Sequence, residues 1–177
     1  MRIELRPWHR HDAEDLRAVA SSADDLAAQL PQPLVTVADA RRVIDTALVC
    51  DDRARYLAIV VEGHAVGNVA VTHIERTHDT GWVSYFSSAP VRGQGLVKRS
   101  VTALANWALT DLALFRLELG HRVNNPASGA VALAAGFTPE GLERQKLRYG
   151  DERFDVRTYA RLASDPVPPV ADVQIGP

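Results

Sequence analysis

One junction in the sequence constrains the fold more than any other part of the chain. The aromatic and β-branched segment Trp82–Ser87 reads as a strand that ends before Pro90. Arg92-Gly93-Gln94-Gly95 follows, and apolar residues then recur at helical spacing from 97 to 112. A strand that turns through glycines into a helix directs unpaired N–H groups and the positive helix end at one point, which suits a phosphate. The alternative is a glycine-rich turn with solvated basic residues.

The charges around this turn favour a bound anion. Lys98 and Arg99 stand in the first helical turn, where cations oppose the helix dipole unless an anion neutralises them. Residues 90–177 carry 11 basic and 9 acidic side chains, whereas residues 1–89 carry 9 basic and 13 acidic ones. Two common phosphate motifs are excluded. The dinucleotide fingerprint needs a glycine where Lys98 stands, and the P-loop needs four residues between its glycines.

Composition limits the class of protein. The chain has 177 residues, 46% of them hydrophobic and 24% charged, which is typical of one globular domain. A net charge of -2 gives no electrostatic drive toward nucleic acid or a membrane, so neither is an expected partner. Cys50 is the only cysteine, and His9 and His11 lack an evident third ligand, so no metal site is expected. Without an apolar leader or a run of about 20 apolar residues, we expect a cytoplasmic protein.

The order of elements follows from periodicity and from turn residues. A first strand at 3–7 precedes helices that begin near Asp12 and at Thr36, where Asp39 completes a capping box. The remaining predictions are a hairpin over 56–71, the strand and helix described above, a strand from 116, a helix over 126–135 and two β segments at 143–149 and 154–162. Residues 164–177 hold four of the ten prolines and are predicted to be a flexible tail after a single domain of residues 1–163.

Two blocks of residues resemble a known family. Arg92 and Gly95 match the Gln/Arg-x-x-Gly-x-Gly/Ala acetyl-CoA signature of the GNAT acetyltransferase superfamily, although Val97 takes the place of its last small residue. The second block resembles the branch that contains ribosomal-protein N-terminal acetyltransferases. It comprises Arg116-Leu117-Glu118-Leu119, Asn125-Pro126-Ala127-Ser128 and Ala135-Gly136-Phe137, with similar opening and closing segments at Ile3–Pro7 and Arg148–Asp151.

The resemblance implies a fold and a way of binding acetyl-CoA. The fold is α+β, with a mixed, mostly antiparallel sheet of six to seven strands, helices on both faces, and a splayed parallel pair at 82–87 and 116–122. Free backbone groups in the splay would pair with the pantetheine arm. The implied cofactor-binding residues are Phe86, Ser87, Ser88, Arg92, Gly93, Gln94, Gly95, Leu96, Val97, Lys98, Arg99, Asn125 and Ser128.

The resemblance also implies direct transfer of the acetyl group to a primary amine in a ternary complex. A backbone N–H near Ser87 would stabilise the oxyanion, and the Ser128 hydroxyl would protonate the departing thiolate. Asn125 and Ser128 also suit helix capping, which is the alternative for both. Glu118 is the expected proton acceptor, directly or through water, with an ion pair to an arginine as the alternative. His121 and His73 are weaker candidates.

The acceptor is less constrained than the chemistry. A protein or peptide N-terminus is the expected acceptor, and the alternatives are a small-molecule amine, such as a metabolite, polyamine or antibiotic, or a non-catalytic acyl-CoA-binding module. Residues 21–55 and the turn near Gly150 would shape the acceptor pocket. The acidic first half would favour cationic amines. The resemblance also implies a possible homodimer through the sheet edge or the last strands.

Overall fold

The computed structural model describes residues 1–176, apart from the side chains of residues 27 and 28. The strands are β1 (Ile3–Pro7), β2 (Arg55–Val61), β3 (His64–Glu75), β4 (Thr80–Ser87), β5 (Arg116–Arg122), β6 (Thr138–Tyr149), β7 (Glu152–Leu162) and β8 (Val173–Ile175). The α-helices are α1 (Ala13–Ser21), α2 (Val37–Thr46), α3 (Leu96–Thr110) and α4 (Pro126–Ala134), and short 3-10 helices occupy Arg10–Asp12, Asp24–Gln29 and Ala89–Val91.

The strands form one sheet in the order β6-β7-β5-β4-β3-β2-β1-β8. Only β4 with β5 and β1 with β8 run parallel, and every other neighbouring pair is antiparallel. The predicted α+β fold with one splayed parallel pair is therefore confirmed. The sheet has eight strands, one more than the upper end of the expected six to seven.

The extra strand lies in the segment expected to be a flexible tail, so that expectation is wrong for residues 173–175. These residues pair with β1, whose edge supplies the partners: the Ile3 N–H donates to the Asp172 carbonyl and the Gly176 N–H to the Leu5 carbonyl, both at 2.8 Å. Val173 and Ile175 also pack against the main core. A three-residue strand in a proline-rich segment is too short to show the alternation of apolar and polar residues that predicts a strand. It forms because the edge of β1 offers unpaired backbone groups, which only the folded sheet shows.

Strand alternation gives the sheet two different faces. On one face, Leu57, Ile59, Val69 and Val71 pack against α3 and α4 in the main core. On the other face, Ala58, Val60 and Ala65 pack against α1 and α2 in a second core. On this second face, α1 and α2 cover β2 and β3. They do not cover the same face of β4, β5 and β7, which lies next to the two helices.

Local signals in the sequence explain where the first helices begin. The Thr36 side chain accepts a hydrogen bond from the Asp39 N–H at 3.1 Å, and Asp39 accepts one from the Thr36 N–H at 2.8 Å, so the predicted capping box is present. Asp12 precedes α1 and is buried. It accepts two hydrogen bonds from Arg6, at 2.7 and 2.8 Å, and one from the His9 N–H at 2.8 Å.

This arrangement predicts a pH-dependent contribution of Asp12 to stability. Burial opposes ionisation, but the hydrogen bonds from Arg6 and His9 outweigh it and lower the pKa of Asp12. A carboxylate with a lowered folded-state pKa stabilises the fold above its unfolded pKa of about 3.9 and loses that contribution as the pH falls through the folded value. We expect Asp12→Ala to reduce the free energy of unfolding by about 2–4 kcal/mol at pH 7, because it strands the Arg6 charge.

Urea denaturation at several pH values measures this effect. The difference in the free energy of unfolding between the parent protein and Asp12→Ala should become smaller as the pH is lowered below about 4. Asp45→Ala is the matched control because it removes the carboxylate from the exposed Arg10–Asp45 ion pair, which contributes little. Equal losses for the two variants, or a loss at Asp12 that does not change with pH, would contradict the assignment.

Candidate functional site

The site is built on a gap between two parallel strands. β4 and β5 pair only at Thr80 with Arg116, Gly81 with Leu117 and Trp82 with Glu118. Both strands continue for several residues beyond this point, β4 paired with β3 and β5 paired with β7. The two strands therefore part at Trp82 and Glu118, and a slot opens between them toward their carboxyl ends.

Strand register determines which backbone groups face the slot. In an antiparallel pair, residues exchange hydrogen bonds with the partner strand only at alternate positions. The Ser88 N–H donates to the Val66 carbonyl at 2.9 Å, so the paired residues Gly67 and Ser87 do not bond each other. By the same alternation, the N–H and C=O groups of Val83, Tyr85 and Ser87 point away from β3 and into the slot.

The opposite wall of the slot has the same character. The Val123 N–H donates to the Asp155 carbonyl at 3.0 Å, which makes Arg122 and Val156 a pair that does not exchange hydrogen bonds. The backbone groups of Glu118, Gly120 and Arg122 therefore turn toward β4. An extended amide chain lying in the slot could hydrogen-bond to both walls, as an added strand does.

The glycine turn stands at the mouth of this slot. Gly93 and Gly95 have φ values of 77° and 75°, in the left-handed region that favours glycine. Gly95 is the N-cap of the 15-residue helix α3, whose first N–H groups lack partners within the helix. A Cβ built on either glycine would meet no atom within 4 Å, so the space above the turn is open to a ligand. These features fit the pyrophosphate of acetyl-CoA.

The side chains of the turn do not all point toward this space. Arg92 donates to both oxygens of Asp25 at 3.1 Å and to the Ser87 carbonyl at 3.4 Å, which ties the turn to the 3-10 helix after α1. Arg99 donates to the Met1 carbonyl at 3.0 Å, whereas Lys98 is exposed. Val97 packs against the main core, so its branched side chain does not stand above the helix start.

The remaining predicted cofactor residues flank the turn. Gln94 donates to the Pro90 carbonyl at 3.0 Å, and Leu96 is buried in the main core, so each has a role within the turn and helix themselves. Ser87 and Ser88 are buried at the end of β4, and Phe86 packs against the second core. The backbone of the turn, more than its side chains, is therefore what a bound ligand would meet.

On the face of the sheet that α3 and α4 cover, the polar side chains of Asn125, Ser128 and Tyr85 lie beside the slot. The Asn125 side chain accepts from the Ser128 N–H at 3.2 Å and so caps α4, which was the alternative for Asn125. This bond uses the backbone of Ser128 and leaves its hydroxyl for another partner. Tyr85 donates to the Ser128 carbonyl at 3.2 Å, and burial raises the pKa of the Tyr85 hydroxyl, which therefore remains a donor.

His121 belongs to the same face. Its Nδ1 lies 2.8 Å from the Arg122 carbonyl and its Nε2 3.1 Å from the Tyr159 hydroxyl. Because a carbonyl only accepts, Nδ1 donates to it, and Nε2 and the Tyr159 hydroxyl form the second hydrogen bond of the ring. His121 is thus a packed, hydrogen-bonded residue. His73 is exposed on β3, and its Nδ1 lies 3.1 Å from the Thr72 hydroxyl, near the end of β4 farthest from Ser87.

Glu118 lies on the opposite face, at the point where the strands part. It lines a cleft of about 210 Å³ together with Trp82, Arg116, Glu140, Glu143, Lys146, Thr158 and Tyr159. Arg116 donates to Glu118 at 2.7 Å and to Glu140 at 3.0 and 2.5 Å. These hydrogen bonds raise the pKa of Arg116 and lower that of Glu140. The ion pair proposed as the alternative for Glu118 is therefore present.

The sequence analysis did not identify several residues that line this cleft. Strand alternation could have indicated some of them. With a strand at 116–122, alternation places Arg116, Glu118, Gly120 and Arg122 on one face. Gly120 within a strand indicates close approach of another group. A Cβ there would lie 2.9 Å from Val156 Cγ1 and 3.2 Å from the Trp82 ring. No sequence signal connects Glu140, Lys146 or Thr158 to this cleft, because β6 and β7 reach it only through the sheet.

Comparison with known proteins assigns the family. A family model described as "Acetyltransferase (GNAT) domain" matches residues 2–138. The chain belongs to the GNAT acetyltransferase family. The resemblance seen in the sequence is therefore confirmed, and this GNAT chain is an acetyl-CoA-dependent N-acetyltransferase that uses acetyl-CoA as co-substrate. Among residues 1–176, no helix is long and apolar enough to cross a membrane, and no group of three potential metal ligands is present.

Relatives of this GNAT protein differ in the acceptors that their names state. A ribosomal-protein-serine acetyltransferase of Escherichia coli is 29% identical over 134 residues, 75% of each chain. The structure resembles RimL, a ribosomal alpha-N-protein acetyltransferase in complex with coenzyme A, with a TM-score of 0.80, 22% identity and 92% and 94% coverage of the two chains. It also resembles a chimera of the spermidine N-acetyltransferase SpeG from Vibrio cholerae and hSSAT, with a TM-score of 0.78, 18% identity and 93% and 97% coverage.

The open space above the turn predicts that Gly95→Ala weakens coenzyme A binding. The new methyl group would enter the space above the start of α3, and the left-handed φ would be strained. We expect the dissociation constant for coenzyme A, measured by isothermal titration calorimetry, to rise at least tenfold.

Gly63→Ala is the matched control, because Gly63 also has a left-handed φ of 86° and open space around its Cβ position, but lies in the β2–β3 turn. It should lower thermal stability to a similar extent and leave coenzyme A affinity unchanged. If both variants bound as the parent protein does, the turn would not be the pyrophosphate site.

Proposed function

We propose that this protein acetylates the α-amine of a peptide or protein N-terminus, by direct transfer from acetyl-CoA bound in the slot between β4 and β5. The observation that carries the proposal is the separation of two groups onto opposite faces of the slot, with Ser128 on the side of α3 and α4 and Glu118 in the open cleft. The similarity to a ribosomal-protein-serine acetyltransferase over 75% of both chains supports this class of acceptor.

Acetyl-CoA, when bound, supplies the acetyl group as an activated thioester. The turn after β4 would hold its pyrophosphate, and the backbone groups of Ser87, Tyr85 and Gly120 would align the arm that follows. Along β4, Ser87 is closest to the turn and Tyr85 is next. These two N–H groups would be the donors that stabilise negative charge on the carbonyl oxygen, and the donor near Ser87 stays a prediction.

Two side chains would move protons. The Ser128 hydroxyl lies on the coenzyme side and would donate a proton to the sulfur. Glu118 lies on the acceptor side and would receive the proton of the amine. Tyr85 stands three residues beyond Trp82, the partner of Glu118, and this separation of about 10 Å along the strand favours transfer through water. The Arg116 ion pair would hold the Glu118 carboxylate in position at the start of the slot.

Replacement of these two residues tests the roles. We expect Ser128→Ala and Glu118→Gln each to lower kcat by about 100-fold or more, as loss of a proton-transfer group does, while coenzyme A affinity stays within about twofold. Ser128→Ala retains the backbone N–H that Asn125 caps, so it separates the hydroxyl from the helix cap. Glu140→Gln is the control for Glu118, because it removes the other carboxylate bonded to Arg116. Parental rates in either variant would remove that residue from the mechanism.

A free-thiol assay with a panel of amines tests the acceptor. The panel would contain peptides with free α-amines, the same peptides with blocked α-amines and one lysine, and spermidine. We expect turnover with free α-amines, and mass spectrometry should locate the acetyl group at the N-terminus. Faster turnover of spermidine would favour a small-amine acetyltransferase. Coenzyme binding without turnover on any amine would favour a non-catalytic acyl-CoA-binding module.

A further inference from the structure

The carboxylates of the acceptor cleft are already neutralised by neighbouring cations. Glu118 and Glu140 share Arg116, and Glu143 accepts a hydrogen bond from Lys146 at 2.5 Å. The charges of the three carboxylates and the two basic side chains nearly cancel, so the electrostatic potential of the cleft would attract a polycation only weakly. The acidic first half of the sequence does not change this, because none of its acidic residues lines the cleft. A cationic acceptor is therefore not what this surface is built to attract.

One arginine at the same face is arranged differently. The Arg122 guanidinium carbon lies 4.6 Å from the centre of the Tyr149 ring and 5.1 Å from that of Phe154. These rings belong to the β6–β7 hairpin and contact each other edge to face. Within residues 1–176, Arg122 makes no ion pair. A guanidinium held over aromatic rings keeps its edge N–H groups free, and these groups can bind a carboxylate with two parallel hydrogen bonds.

Along β5, Arg122 lies at the level of the proposed reacting end of the slot. Extending the parallel register from Trp82 and Glu118 puts Arg122 at the level of Phe86, one residue from Tyr85. Along the strands it is therefore about 3 Å from the level of Tyr85, whose N–H points into the slot. Arg122 pairs with Val156, which contacts the Cβ position of Gly120, so its side chain is on the acceptor face.

We propose that Arg122 is an acceptor-specificity residue that binds a carboxylate close to the reacting amine. The inference rests on the proposed function and deepens it. The preferred acceptors are peptide N-termini with an acidic residue at the second or third position, and polyamines are disfavoured.

Three peptides that differ only at the second position, with glutamate, glutamine or lysine, test the inference. We expect the parent protein to have a kcat/KM about tenfold higher for the glutamate peptide than for the glutamine peptide, as a charge-assisted hydrogen bond would give, and lowest for lysine. Arg122→Gln should abolish the preference for glutamate by raising KM for that peptide, while kcat/KM for the glutamine peptide stays within about threefold. Arg122→Lys should retain part of the preference.

Controls separate recognition from a structural role. Arg144→Gln removes an exposed arginine from β6 and should leave the ranking of the three peptides unchanged. Coenzyme A affinity and thermal stability, measured for every variant, report on folding, and a merely structural role would lower turnover of all three peptides equally. Turnover without an Arg122-dependent preference would overturn this inference alone. Absence of turnover with every amine would overturn the proposed function and this inference together.

Discussion

β4 and β5 pair through three residues and then part, and the rest of the site depends on this separation. Backbone N–H and C=O groups that face a gap in a sheet need partners, because leaving them unmet costs free energy. The flanking strands β3 and β7 hold the walls in place through long antiparallel ladders, so the gap is a rigid feature of the sheet. The ligand that fits it is an extended chain with amides, ending in an anion at the glycine turn.

In the proposed mechanism, the slot would divide the protein into a coenzyme side and an acceptor side. α3 and α4 lie on one face and present the helix start, Asn125 and Ser128. The other face lies beside α1 and α2 and contains the cleft with Glu118 and Trp82. The sheet therefore separates Ser128, which would protonate the sulfur, from Glu118, which would accept a proton from the amine. Because they lie on opposite faces, the two side chains cannot contact each other.

Ion pairs from two arginines connect the slot to neighbouring parts of the fold. Arg116 joins strand β5 to β6 through Glu140 while it contacts Glu118, so one guanidinium links the edge of the sheet to the point where the slot begins. Arg92 plays a comparable part elsewhere, because it joins the glycine turn to Asp25 in the segment after α1. The two ion pairs thus connect the walls of the slot to neighbouring elements, Arg116 to strand β6 and Arg92 to the 3-10 helix after α1.

The sequence by itself determined the order of elements, the glycine turn and the family, because helix caps, alternation and positive-φ glycines are local signals that act over a few residues. The family motifs directed attention to Glu118, Asn125 and Ser128 in the same way. Only the tertiary structure decided that β8 completes the sheet, that Arg116 neutralises Glu118 and Glu140, and that Tyr149 and Phe154 hold Arg122. Except for the bond between Arg116 and Glu118, which lie two residues apart on one strand, these outcomes depend on contacts between segments tens of residues apart. No local pattern encodes which distant charge or ring a side chain will meet.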